Sequence, residues 1–169
     1  MSFNQGEMLA NRMGDRLLTT AGVLIGMSLA GFFDGIVLHQ ILQWHHMLSN
    51  IQSTDSVKGL QLNTLADGLF HIASYVLLAI GLITLWKAYQ QKPSISSRLM
   101  IGAVLLGAGV FNFVEGLVNH HLLQIHHVKP GPNQLLWDLS FLAIGLILMG
   151  WGWFIWKQHS ANSSNSNPI

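Results

Sequence analysis

Asp34-Gly-Ile-Val-Leu-His-Gln-Ile-Leu-Gln-Trp-His-His46 is the first of two copies of one motif in this chain. The second copy is Glu115-Gly-Leu-Val-Asn-His-His-Leu-Leu-Gln-Ile-His-His127, which follows at a constant offset of 81 positions without a gap. Both copies share the pattern acid-Gly-Leu/Ile-Val-x-His-x-x-Leu-Gln-x-His-His. Chance does not explain a match of this length, so the motif predicts that the chain is built from two repeats.

The composition around these motifs is typical of a membrane protein. Half of the residues are apolar and only 9% are charged, against about 25% charged residues in soluble domains. Four stretches have the roughly 20 mainly apolar residues that a helix needs to cross a bilayer. They cover about residues 17–42, 65–86, 99–123 and 135–156. The sequence therefore predicts an all-α, four-helix transmembrane bundle made of two parallel two-helix repeats, related by an axis along the membrane normal.

The chain is predicted to have three parts and a defined orientation. Residues 1–16 form an interfacial N-terminal segment, residues 17–157 the four-helix transmembrane domain, and residues 158–169 a disordered polar tail. Six lysines and arginines fall at the two termini and in the central link, and only Lys58 and Lys129 fall at the opposite end. Because lysine and arginine are enriched on the cytoplasmic side, we expect a multi-pass plasma-membrane protein with both termini in the cytoplasm.

Charge and cysteine content narrow the possible functions. The net charge of +1 gives no electrostatic support for binding nucleic acid. The absence of cysteine excludes disulfides, thiolate metal sites and thiol catalysis. The expected partner is the lipid bilayer, and membrane-protein partners or a homo-oligomer stay open. The Gly22/Gly26 and Ala103/Gly107 pairs predict close helix packing.

The acid and the histidines of each motif share one side of a helix. At about 100° per residue, the acid and three histidines of the first copy fall within an arc of about 140°. The second copy behaves in the same way, and only His121 lies outside its arc. The second predicted helix adds the i, i+4 pair Asp67 and His71, and the fourth adds Asp138. Polar groups are costly in hydrocarbon, so this layer should face the bundle interior near its outer end.

Carboxylates and imidazoles without thiolates are typical ligands of Fe, Zn, Mn or Cu(II), and four-helix bundles hold such centres in their cores. We therefore predict a transition-metal site with a redox or metal-handling role. The candidate ligands are Asp34, His39, His46, Asp67, His71, Glu115, His120 and His127. Only the second histidine of each His-His pair is included, and solvation at the interface is an alternative explanation for both pairs.

Other interpretations of the same residues stay open. A transporter or proton relay also uses intramembrane acids and histidines, although the cytoplasmic halves of the second and fourth helices have few polar residues. A b-type haem held by His39 and His120 is a further alternative, and the nearby carboxylates argue against it. A hydrogen-bond network that only joins the helices, without binding a metal or moving protons, is the last alternative. The sequence does not decide whether the protein is an enzyme.

The two motif copies resemble those of a family of predicted bacterial membrane proteins known only as a domain of unknown function. The resemblance covers roughly residues 15–157. It implies a four-helix membrane protein, and it carries over no activity and no catalytic residues.

Overall fold

The computed structural model describes the backbone of residues 2–165 and the side chains of residues 5–159. Over that range the regular structure is entirely helical. The α-helices are α1 (Ser2–Phe32), α2 (Val57–Gln91), α3 (Ser97–Glu115) and α4 (Gln134–Asn165). Two π-helical segments continue α1 and α3, over Phe33–Ile41 and Gly116–Leu122 respectively. Each of the four resulting helices is long and apolar enough to cross a membrane, which confirms the predicted all-α class with four membrane helices.

The helices extend beyond the hydrophobic spans that the sequence marked. α2 begins at Val57 because Ser56 caps its first turn, accepting a hydrogen bond from the Gly59 amide at 3.0 Å. Hydropathy marks only the part of a helix that lies in hydrocarbon, whereas capping residues determine where it begins. Near the C-terminus, α4 continues to Asn165, within the predicted polar tail. Residues 166–169 of that tail lie outside the described part. The predicted domain boundaries stay predictions.

α1 and α3 are the central helices of the bundle. They pack on each other, while α2 packs on α1 and α4 packs on α3. Their contact is close because it uses glycine: a Cβ on Gly26 would collide with the Val104 carbonyl, and a Cβ on Gly107 with the Val23 carbonyl. These contacts confirm the predicted small-residue packing surfaces. They bring the two motif copies, which follow these glycines in the chain, to the same end of the bundle.

We expect Gly26→Ala to destabilise the protein by on the order of 1–3 kcal/mol, because the added methyl has no space between α1 and α3. Thermal unfolding in detergent measures this change. The matched control is Gly150→Ala, where an added Cβ meets no heavy atom within 4 Å. Equal unfolding temperatures for the two variants would contradict the close contact between α1 and α3.

Candidate metal centre

The two π-helical segments position the acid and the first histidine of each motif copy. In a π-helix the backbone hydrogen bonds join residues five apart, so side chains at that spacing lie close together. Asp34 Oδ2 is 3.2 Å from His39 Nε2, and Glu115 Oε1 is 3.3 Å from His120 Nε2. An ideal α-helix would separate the same positions by about 140°. π-Helical turns are rare in proteins, and those that occur are often found at functional sites. Here each motif copy contains one.

Both π-helical segments end in the same backbone conformation. Gln43 has φ 48° and Gln124 has φ 50°, values in the left-handed region that residues other than glycine seldom adopt. Two positions further along, His45 and His126 are 2% and 0% exposed. The end of each helix therefore coincides with the return of a second histidine into the protein interior.

These local structures assemble two groups of three buried side chains. The first trio is Asp34, His39 and His45, and the second trio is Glu115, His120 and His126. In the first trio both histidine Nε2 atoms face Asp34, at 3.2 Å and 3.9 Å. In the second trio both face Glu115, at 3.3 Å and 2.9 Å. Each trio thus combines one carboxylate with two imidazoles.

The two trios are in contact with each other. The rings of His45 and His126 stack, with centroids 4.6 Å apart and 7° between their planes. Potential ligand atoms of His39, His45 and His126 lie within 4.8 Å of one another. The same limit holds for Glu115, His120 and His126. His126 belongs to both sets, so the trios form one continuous cluster.

The Nδ1 atoms of the stacked pair are held by backbone carbonyls in a crosswise arrangement. His45 Nδ1 donates to the Val128 carbonyl at 2.8 Å, and His126 Nδ1 donates to the Met47 carbonyl at 3.0 Å. Because a carbonyl oxygen only accepts, each Nδ1 carries a proton. Nε2 of His45 is then left without a hydrogen-bond partner, whereas Nε2 of His126 makes a hydrogen bond with Glu115 Oε1 at 2.9 Å. Burial lowers the pKa of His45 to about 2, and repulsion from His126 and His39 adds to this effect. His45 is therefore a neutral imidazole, the form in which histidine binds metals.

Asp67 of α2 holds the histidines of the first copy from behind. Its Oδ1 accepts from His39 Nδ1 at 2.8 Å and from the Met47 amide at 2.9 Å. Its Oδ2 accepts from His46 Nδ1 at 2.6 Å and from Gln40 Nε2 at 3.0 Å. Asp67 itself is only 1% exposed. A carboxylate behind a histidine fixes the ring orientation and raises its basicity, as in many metal sites.

Asp138 of α4 has the corresponding place in the second copy. It accepts from His127 Nδ1 at 2.7 Å and from the Val128 amide at 2.9 Å. Its Oδ1 lies 3.7 Å from His120 Nδ1, so this contact is longer than its counterpart at Asp67. The two halves therefore share a carboxylate behind the first histidine, supplied by the helix that follows each motif.

Several polar atoms of the trios are buried without a hydrogen-bond partner. They are both carboxylate oxygens of Asp34, Oε2 of Glu115, Nε2 of His39 and His45, and both ring nitrogens of His120. A buried polar atom without a partner costs roughly 1–3 kcal/mol, and more when it is charged. A cation held between the carboxylates and the imidazoles would satisfy these atoms together.

The structure brings half of the predicted ligands into the trios: Asp34, His39, Glu115 and His120. Asp67 lies behind His39, as described above. His46 and His127 do not belong to the trios, because their Nδ1 atoms bind Asp67 and Asp138 and their side chains are 12% and 15% exposed.

His71 is a predicted ligand that the structure leaves outside both trios. Its ring packs against Phe32 and Phe70, with centroids 6.4 Å and 6.1 Å away. Its Nε2 faces the backbone at Gly35, where an added Cβ would lie 2.5 Å from it. His71 belongs to neither set of converging ligand atoms.

Sequence reasoning left out His45 and His126, which the structure places inside the cluster. An α-helical projection places both histidines of each pair on the polar arc and does not distinguish them, whereas in the structure the helices end before these pairs, at Leu42 and Leu123. The Gln-x-His-His ending of both motif copies could have indicated that the helices end there. The glutamines at Gln43 and Gln124 are the residues at which the backbone leaves the helix.

The match with known proteins is to one family. A family model described as "Predicted membrane protein (DUF2243)" matches residues 21–159. No curated protein and no solved structure matches the chain.

Proposed function

We propose that this chain, which belongs to the DUF2243 family of predicted membrane proteins, binds transition-metal ions in its two trios. One observation carries the proposal. Four imidazole Nε2 atoms face two buried carboxylates, while the Nδ1 atoms behind them face carboxylate or carbonyl oxygens. Metal-binding histidines almost always have this arrangement, and several polar atoms of the trios lack the hydrogen-bond partners that a purely structural network would supply.

The ligand types favour divalent first-row metals. Two histidines and one carboxylate, with further positions open, are the ligand set of non-haem Fe(II) sites. The same set binds catalytic zinc. Fe(II) and Zn(II) therefore match each trio best, with Mn(II) and Cu(II) as weaker candidates. Open positions suit a redox role at the metal or its transfer to another protein, the two uses that we propose.

Charge balance supports one ion in each trio. Four carboxylates, Asp34, Asp67, Glu115 and Asp138, are at most 6% exposed. Protons alone could neutralise these four charges only as buried carboxylic acids or as imidazolium ions within the cluster. Two divalent ions balance the four charges while every imidazole stays neutral, and a buried charge is tolerated only when it is paired or coordinated in this way.

The two halves are, in this proposal, repeats related by a rotation about the membrane normal. The crosswise hydrogen bonds from His45 to Val128 and from His126 to Met47 support it, because both donors and both acceptors are 81 positions apart. A two-fold axis between the stacked rings of His45 and His126 accounts for this exchange. Membrane proteins with parallel repeats place their sites on such an axis.

Elemental analysis of protein purified in detergent without chelator tests the metal proposal. We expect about two ions per chain, one for each set of three protein ligands. An absorption spectrum without a Soret band distinguishes this result from haem. Protein that is metal-free, and that takes up none of Fe(II), Zn(II), Mn(II) or Cu(II) on addition, would refute the proposal and favour a proton-handling network.

The proposed orientation has its own test. Reporter fusions after Ser53 and after Lys129 should report the outside, and fusions after Lys92 and Lys157 the cytoplasm, because lysine and arginine favour the cytoplasmic side. Activity in the reverse pattern would place both termini outside and the metal centre near the cytoplasmic face.

A further inference from the structure

A cavity of about 430 Å³ lies beside the first trio, at the end of the bundle where the π-helical segments stop. Its walls come from the loop that follows the first motif copy and from the beginning of α2. The residues that matter for its function are Gln43, His45, His46, Ser49, Thr54 and Leu60. Most of these side chains are polar, in contrast to the apolar surface that the helices present to lipid.

Two polar atoms among the cavity-lining residues have no partner. The residue His45 is only 2% exposed, and its Nε2 is buried without a hydrogen-bond partner. Oγ of Ser49 is also buried without a partner. The same His45 nitrogen lies 3.9 Å from Asp34 Oδ1. One wall of the cavity is therefore also part of the first trio.

We infer that this cavity is the passage through which a hydrated divalent metal ion reaches the trios. The inference rests on the proposed metal-binding function and adds the route and the form in which the ion arrives. An ion with six waters occupies about 200 Å³, since a water takes up roughly 30 Å³. The cavity therefore accommodates the hydrated ion before it loses its waters.

The lining supplies oxygen and nitrogen atoms that replace those waters. The Ser49 hydroxyl and the Gln43 amide are neutral groups that accept weakly, so they hold the ion without trapping it. His45 then provides the first imidazole ligand, and Asp34 provides the charge that draws the ion inward. His46, with 12% of its side chain exposed, stands at the same wall on the water side.

Metal exchange kinetics of the full-length protein test this passage, with Zn(II) as the probe and a chelator to remove it. Ser49→Leu fills the inner part of the cavity with an apolar group. We expect Zn(II) uptake and release to slow by about tenfold, while the metal content at equilibrium stays as in the unmodified protein. The matched control is Ser140→Leu, because the Ser140 hydroxyl only bonds the Leu136 carbonyl of its own helix and lies outside the cavity.

A second variant, Thr54→Trp, narrows the cavity from a lining residue whose side chain forms no hydrogen bond with the trios. If Ser49→Leu loses metal at equilibrium, the exchange rates of Thr54→Trp decide whether the cavity is the passage. Slow exchange with normal metal content in Thr54→Trp supports the passage, and exchange as fast as in Ser140→Leu overturns it. If the unmodified protein binds Zn(II) but neither cavity variant changes the rates, the passage is wrong and the metal centre remains. If the unmodified protein binds no metal, both inferences fail.

Discussion

Replacing His126 with alanine should remove more metal than any other single substitution. His126 belongs to both sets of converging ligand atoms, and its Nε2 lies 2.9 Å from Glu115. Its ring also stacks on His45, so its loss opens the contact between the trios. We expect the metal content of His126→Ala to fall from about two ions per chain to about one or less, because the second trio keeps only two protein ligands and the first trio loses the ring that stacks on His45. Elemental analysis after gel filtration measures this change.

The control for this substitution is His121→Ala. His121 is also a histidine of the second motif copy, but it belongs to neither set of converging ligand atoms. Its variant should keep the metal content of the unmodified protein. Unfolding temperatures measured on both variants separate loss of ligand from loss of fold. Equal metal contents in the two variants would remove His126 from the centre.

Asp67→Asn should weaken metal binding without removing a ligand of the trios. The substitution keeps the size of the side chain but leaves one acceptor oxygen where the carboxylate receives hydrogen bonds from His39, His46 and the Met47 amide. His39 then loses the negative charge that orients its ring and raises its basicity. Loss of such a partner typically costs about 10–100-fold in metal affinity. A competition titration with a chelator measures the affinity.

The matched control for Asp67→Asn is Asp55→Asn. Asp55 lies in the exposed loop before α2, where its carboxylate accepts from the Ser53 hydroxyl at 2.6 Å. This variant should bind metal as the unmodified protein does. If Asp67→Asn also keeps the full affinity, then His39 is oriented by its other neighbours, such as the Phe70 ring stacked at 5.9 Å, and the carboxylate serves only the fold.

Several features of the structure were predictable because they depend on local patterns. The four helices follow from apolar length, since a span of hydrocarbon requires about 20 such residues. The close contact of α1 with α3 follows from Gly26 and Gly107, because small residues let helix backbones approach. The buried positions of Asp34 and Glu115 were predictable because both acids belong to a repeated motif with histidine, and such polar side chains avoid hydrocarbon.

The sequence by itself determined that Asp34, His39, Glu115 and His120 enter the buried polar layer, because a charged or imidazole side chain in a membrane helix must face the interior. Only the tertiary structure decided their partners. His39 lies five positions after Asp34, and a π-helical turn, not an α-helical one, puts their side chains 3.2 Å apart. His45 enters the cluster because the helix has already ended at the left-handed Gln43, and its Nδ1 finds the Val128 carbonyl 83 positions away. Such contacts depend on how two chain segments meet in space, and no periodic pattern within either segment encodes them.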